Sequence, residues 1–125
     1  MGFTNNPYDI ENIQIENAKA ESHLRIGWLR SVSNIISGFG INSFVDELAM
    51  ASGKDAIDFR LDLLGKDKVP TEKSPHPFNV ARLKNVLLEA KKLSKWGREL
   101  PEGHGLGVAI HYSFYSYVAT VVAVS

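Results

Sequence analysis

The chain has no cysteine, which removes disulfides, thiolate nucleophiles and cysteine-ligated zinc or iron–sulfur centres from the chemistry it can supply. The same absence leaves the redox compartment unread, because a chain without thiols suits any of them. There is no surplus charge of either sign: 14 Lys and Arg balance 14 Asp and Glu, interleaved along most of the sequence. A nucleic-acid-binding surface normally gathers a basic surplus on one face, so no nucleic-acid partner is expected. Long hydrophobic runs are also missing. The most apolar stretch, residues 115–124, falls well short of the roughly 20 residues that a spanning helix needs and is β-branched, so it reads as a strand and no membrane span is expected. The first six residues lack a basic start followed by an apolar core and do not read as a secretory leader. No internal repeat and no low-complexity tract interrupts the chain.

What remains is 125 residues, 44% hydrophobic and 22% charged, the composition of one globular domain with enough chain to bury a core. Residues 8–16 alternate, with Ile10 and Asn12 or Gln14 on one face and Ile13 and Ile15 on the other, and predict a strand. Residues 17–33 hold neither period and read as a loop or short edge strand leading to Arg30. From Ser37, the positions Ile41, Phe44, Val45, Leu48 and Ala49 recur at helical spacing, with Gly53 as the stop. A second helix starts at once, with Asp55 as N-cap, Asp58 in the first turn, and Ile57, Leu61 and Leu64 on one face before Gly65. Residues 66–77 carry Pro70, Pro75 and Pro77 and form a surface connection. Residues 77–96 predict the longest helix, Val80, Leu83, Leu87, Ala90 and Leu93 inward, closing at Gly97. A turn-rich loop over 99–104 precedes two strands, 105–111 and 114–124, paired through Tyr112 and Ser113. The last is apolar on both faces, with Phe114, Val118 and Val122 on one and Tyr115, Tyr117, Ala119 and Val121 on the other. It therefore wants cover on both sides, or a continuation into something beyond these residues. The fold class that follows is α+β, about three helices packed on a small, mostly antiparallel sheet built from the first and last strands.

Candidate chemistry is sparse. Arg30, with Ser31, Ser33, Asn34 and the free amides of the following helix start, has the makings of an anion contact; the competing reading pairs it with Asp46 or Glu47 on the surface. The glycines of the run Gly103-His104-Gly105-Leu106-Gly107 follow a loop and precede a strand, the reverse of a dinucleotide-binding loop, and serve turns and close packing. His23, His76, His104 and His111 are scattered, with no i, i+4 pair, so no metal site is expected. His111 reads as a satisfied half-buried histidine. The acidic pairs Asp46-Glu47 and Asp58/Asp62 read as solvated helix faces, and Trp96 as a helix-end packing residue. No serine, histidine and acid are arranged as a nucleophile, so no catalytic residue is assigned.

An ordered set of short motifs adds a family resemblance. It runs through Tyr8-x-Ile10-x-Asn12, Gly27, Arg30-Ser31-Val32, Phe39, Ser43-Phe44-Val45-Asp46-Glu47-Leu48-Ala49, Gly53-Lys54-Asp55 and Phe59-Arg60-Leu61-x-Leu63-Leu64. It continues through Leu83 to Leu87, Trp96-Gly97, Leu100-Pro101, Gly105-x-Gly107-x-Ala109 and Ser113-Phe114-x-Ser116-Tyr117-Val118-Ala119. In this order they resemble the molybdopterin-binding large subunit of the xanthine dehydrogenase and aldehyde oxidase family, in the branch of the isoquinoline 1-oxidoreductase beta subunit.

The resemblance implies a parent enzyme that hydroxylates an aldehyde or N-heterocycle with water-derived oxygen, at a molybdenum-pyranopterin of the molybdopterin cytosine dinucleotide type. It implies as partners the rest of the parent subunit and an iron–sulfur small subunit, and it suggests a periplasmic parent. Carried over by position, Leu29, Arg30, Ser31 and Val32 form the cofactor-approaching loop, with Val32 near the substrate channel. The family's general-base glutamate has no equivalent here, so this piece is expected to be inactive alone. Departures are Leu29 where an aromatic precedes the arginine, Ser33 and Tyr115 where glycines are frequent, and Asn42 where glutamate is frequent. They support the alternative of a non-catalytic binding or assembly domain sharing the fold. A free-standing small-ligand module is a third reading.

Overall fold

A computed structural model describes residues 3, 6–67, 73 and 75–125. The elements are α1 (Asn34–Ala51), α2 (Ala56–Leu63), α3 (Val80–Leu93), β1 (Gly105–Ser113) and β2 (Ser116–Val124). The two strands form an antiparallel hairpin, with Gly105 opposite Val124 and Ser113 opposite Ser116. This is the expected α+β arrangement of three helices on a small antiparallel sheet.

Helix α1 ends where Gly53 takes a left-handed φ of 67°, as its place in the sequence predicts, but it starts at Asn34, ahead of Ser37. Val45 and Ala49 are buried and Ile41 is half-buried, whereas Phe44 and Leu48 face outward. Helix α2 starts on Asp55, whose Oδ1 accepts from the backbone N–H groups of Ile57 at 2.9 Å and Asp58 at 3.0 Å. The other carboxylate oxygen accepts from the Trp96 indole at 2.7 Å, so one side chain caps α2 and ties it to the residues just past α3. Burial pushes the Asp55 carboxyl up, but the Trp96 and backbone hydrogen bonds outweigh it and hold the group below the usual aspartate value. Helix α3 is shorter than residues 77–96. Asn79 caps it by accepting from the Arg82 N–H at 3.2 Å, and Leu93, expected inward, is exposed. The expected surface connection over residues 66–77 lies partly outside the described residues, as does the start of the chain.

The core lies between α3, α2 and one face of the hairpin. Ile57, Leu64, Leu83, Leu87, Val108 and Ile110 are buried there, with Tyr117, Ala119 and Val121 packed against them. An aromatic cluster fastens the start of α3 to the hairpin. The rings of Phe78 and Tyr112 meet at 5.0 Å and those of Tyr112 and Tyr117 at 4.7 Å, while the Tyr117 hydroxyl accepts from the Asn79 N–H at 2.8 Å.

Three expectations are corrected. Residues 8–16 form no strand: Tyr8 is buried and the Asp9 N–H donates to the Leu63 carbonyl at 2.8 Å, but Ile10, Ile13 and Ile15 are exposed. The free edge of β1, where a first strand would have paired, is occupied by side chains of α1 and α2. Residues 17–33 follow the loop reading. The hairpin turns at Phe114 and Tyr115, both at positive φ (47° and 62°), so these are turn residues and not the start of β2. A two-residue turn with both residues left-handed matches the twist of the strands it joins. Finally, β2 is covered on one face alone: Val118, Val122 and Val124 are exposed.

Candidate functional site

The loop that carries Leu29, Arg30, Ser31 and Val32 lies at the end of an extended lead-in and feeds α1. All four residues are exposed. The Val32 N–H donates to the Leu29 carbonyl at 3.1 Å, and the Asn34 N–H donates to the Ser31 carbonyl at 2.8 Å. Ser31 and Val32 are both left-handed, with φ of 63° and 51°. For a β-branched residue that conformation is costly, so something outside the turn must hold it. The restraint reaches it from β1. The Asn34 amide donates to the Ser31 carbonyl at 2.9 Å, while its oxygen lies 3.0 Å from His111 Nε2. Because the Asn34 nitrogen is committed to Ser31, its oxygen is the acceptor and His111 carries its proton on Nε2. Burial depresses the His111 pKa, which favours that neutral form. The half-buried, satisfied histidine of the sequence reading is what the structure contains.

Arg30 does not pair with Asp46 or Glu47. Among the described residues its guanidinium has no hydrogen-bond or ionic partner, and Asp46 is engaged instead by Arg60, at 2.6 Å. Arg60 is the functional-looking residue that helical periodicity misses. Its side chain is wholly buried, with Nη1 donating to the Ala56 carbonyl at 2.9 Å and Nη2 to the carbonyls of Asn42 and Val108, each at 3.1 Å. Its position between Phe59 and Leu61 on a short amphipathic helix gives no sign of this; a cation that every packing surface surrounds is legible only in three dimensions. Tyr8 sits against the same group. Burial pushes its phenol up to about 12, the Arg60 charge opposing and the Asp46 charge adding. The network is a structural junction, since each carbonyl it serves is main chain.

Asn42 completes the β1 edge. Its Oδ1 accepts from the Ile110 N–H at 2.9 Å and its Nδ2 donates to the carbonyls of Ile110 at 3.0 Å and Gly38 at 2.7 Å. The side-chain amide thus takes the place of a neighbouring strand. Between α1 and the outer face of the hairpin runs an open groove of about 380 Å³, bordered by Phe39, Asp46, His111, Thr120 and Val122 among others. Asp62 pairs with Lys54 at 2.8 Å and Asp58 with Lys91 at 2.5 Å, both carboxylates remaining well exposed on solvated helix faces.

The donors of the loop fit an anionic group: an unpaired guanidinium, the Ser31 hydroxyl and the start of an 18-residue helix. They do not enclose one. Among the described residues no group of three or more His, Asp or Glu converges to hold a metal ion, and no helix is long and apolar enough to cross a membrane.

No protein-family profile matches the chain. Over 97 residues it is 33% identical to the membrane-bound aldehyde dehydrogenase [pyrroloquinoline-quinone] of Gluconacetobacter polyoxogenes, a match covering 76% of this chain and 12% of that protein. Over 55 residues it is 36% identical to a nicotinate dehydrogenase subunit of Pseudomonas putida, covering 44% of this chain and 5% of that protein. The chain therefore spans a small fraction of either relative. Its similarity is to segments of oxidoreductases, and neither relative is an isoquinoline oxidoreductase.

Proposed function

We propose that these residues are part of the molybdenum-cofactor-binding subunit of an oxidoreductase that hydroxylates aldehydes or N-heterocycles with water-derived oxygen. In this reading they supply scaffold and the Arg30 loop, and the isoquinoline branch is the finer form of the assignment. The 97-residue similarity to an aldehyde dehydrogenase supports its oxidoreductase part, as does the similarity to a nicotinate dehydrogenase, whose substrate name is that of an N-heterocycle; the molybdenum cofactor rests on the motif resemblance, the first relative's own name giving pyrroloquinoline quinone. When bound, a molybdenum-pyranopterin supplies the redox centre and the site of oxygen transfer. This chain's own part is to bind and orient: Arg30 would meet an anionic oxygen of the cofactor, Ser31 would add a hydroxyl donor, and Leu29 and Val32 would present apolar surface beside it. The enclosing wall and the general base would come from other parts of the parent subunit, and electrons would pass to an iron–sulfur partner.

The decisive experiment captures the native polypeptide from its source cells with an antibody against this chain, then measures its size, molybdenum, pterin and quinone. The expected result is a polypeptide much larger than 13.8 kDa that carries molybdenum and pterin. Pyrroloquinoline quinone without molybdenum would overturn the cofactor. A native 13.8 kDa species with neither would overturn the enzyme reading and favour the binding or assembly domain, to which the exposed apolar face of β2 already lends support.

A further inference from the structure

We infer that His111 and Asn34 are positioning residues that hold the left-handed turn at Ser31 and Val32 and so aim the Arg30 guanidinium; this rests on the reading of Arg30 as the anion-facing group. The turn's internal bonds are few, two backbone hydrogen bonds spanning 29–34, and Ser33, at the N-cap of α1, makes no side-chain capping bond. Two successive left-handed residues, one of them valine, would relax toward ordinary backbone if nothing else held them. The added restraint spans 77 positions of sequence: His111 Nε2–H donates to Asn34 Oδ1, and Asn34 Nδ2–H donates to the Ser31 carbonyl.

The histidine is fixed from its other side. It lies on a strand paired at Val118, and its ring rests against Gly38, where an added Cβ would stand 3.4 Å from Nδ1. At that distance α1 packs in van der Waals contact with the ring and backs it from the side away from Asn34. The direction of Arg30 is thereby referred to the hairpin and not to the extended lead-in, whose residues 9–32 are all exposed.

The test uses the full isotopically labelled chain and the variants His111→Gln, His111→Leu and Asn34→Asp. Residual dipolar couplings report φ at Ser31 and Val32, and titration with inorganic pyrophosphate is followed at the Arg30 Nε–H. His111→Gln keeps a donor at the Nε2 position and is expected to preserve both the turn and the pyrophosphate Kd. His111→Leu loses the donor, and Asn34→Asp keeps the acceptor for His111 but can no longer donate to Ser31. Both are expected to lose the positive φ values and to weaken pyrophosphate binding about tenfold, with hairpin shifts beyond residue 111 unchanged. Retention of the turn in His111→Leu or Asn34→Asp would overturn the inference, as would loss of the turn in His111→Gln. Collapse of the turn in those two variants, with no pyrophosphate binding by the wild-type chain, would uphold the positioning role and overturn the anion reading of Arg30.

Discussion

Arg60 shows how much a single buried cation can determine. Its two terminal nitrogens serve carbonyls on α1, α2 and β1, so truncation removes the pairing of all of them and strands Asp46 beside a void. Breaking a buried ion pair from one side costs about 3–5 kcal/mol, a large part of the stability of a small domain. Arg60→Ala is therefore expected to lower the urea midpoint drastically or prevent folding. Asp46→Asn keeps an oxygen acceptor but leaves the wholly buried Arg60 cation without its counter-charge, so it should cost about 3 kcal/mol, the low end of that range, because Asp46 itself is 40% exposed. Tyr8, in the same cluster, predicts the response to alkali. Its folded pKa is raised to about 12 from an ordinary 10.0, so the stabilisation is complete below pH 10 and is lost as the pH rises from 10 towards 12. Chemical denaturation across that window should show a fall that Tyr8→Phe removes; equal slopes for the two proteins would contradict the burial argument.

At the scale of the elements, the hairpin turn is the clearest case of sequence and conformation in conflict. Phe114 and Tyr115 both adopt left-handed backbone, which costs an ordinary residue roughly 1–2 kcal/mol, and Tyr115 stands where the resembling family often has glycine. Replacing the pair with Asn-Gly, the preferred composition of this turn, is expected to raise stability by about 1 kcal/mol. The gain is reduced by losing the contact between the Tyr115 and His76 rings at 5.0 Å. Thermal melting of the double variant measures it. The turn was not legible because aromatic residues in an apolar run read as strand, whereas α1, α2 and α3 were legible because each carries an apolar stripe and a chemical stop or start: Gly53, Asp55 and Gly65, Gly97. The strand expected over 8–16 failed for a related reason. Alternation records which residues could face a core, but it cannot show whether a sheet edge is available to receive them.

For the whole molecule, the same limit separates what was legible from what was not. Local periodicity led to three helices, the two strands of the hairpin, a further strand over 8–16 that does not form, and an α+β class, and motif order led to the dehydrogenase likeness. Arg60, Asn42 and His111 each bond a residue 18 to 77 positions away, and no local pattern encodes such separations. The exposed apolar residues form a second whole-molecule property. Trp28, Ile36, Phe39, Val118 and Val122 face solvent, and exposed apolar surface of this kind marks a place of contact with another molecular surface. Asn42 gives that surface a direction. By answering both the N–H and the carbonyl of Ile110, its amide closes one border of the hairpin as a stop codon closes a reading frame. Any lengthening of the sheet, by a neighbouring polypeptide or in an aggregate, is left to proceed from the β2 border, so assembly on this hairpin is one-sided.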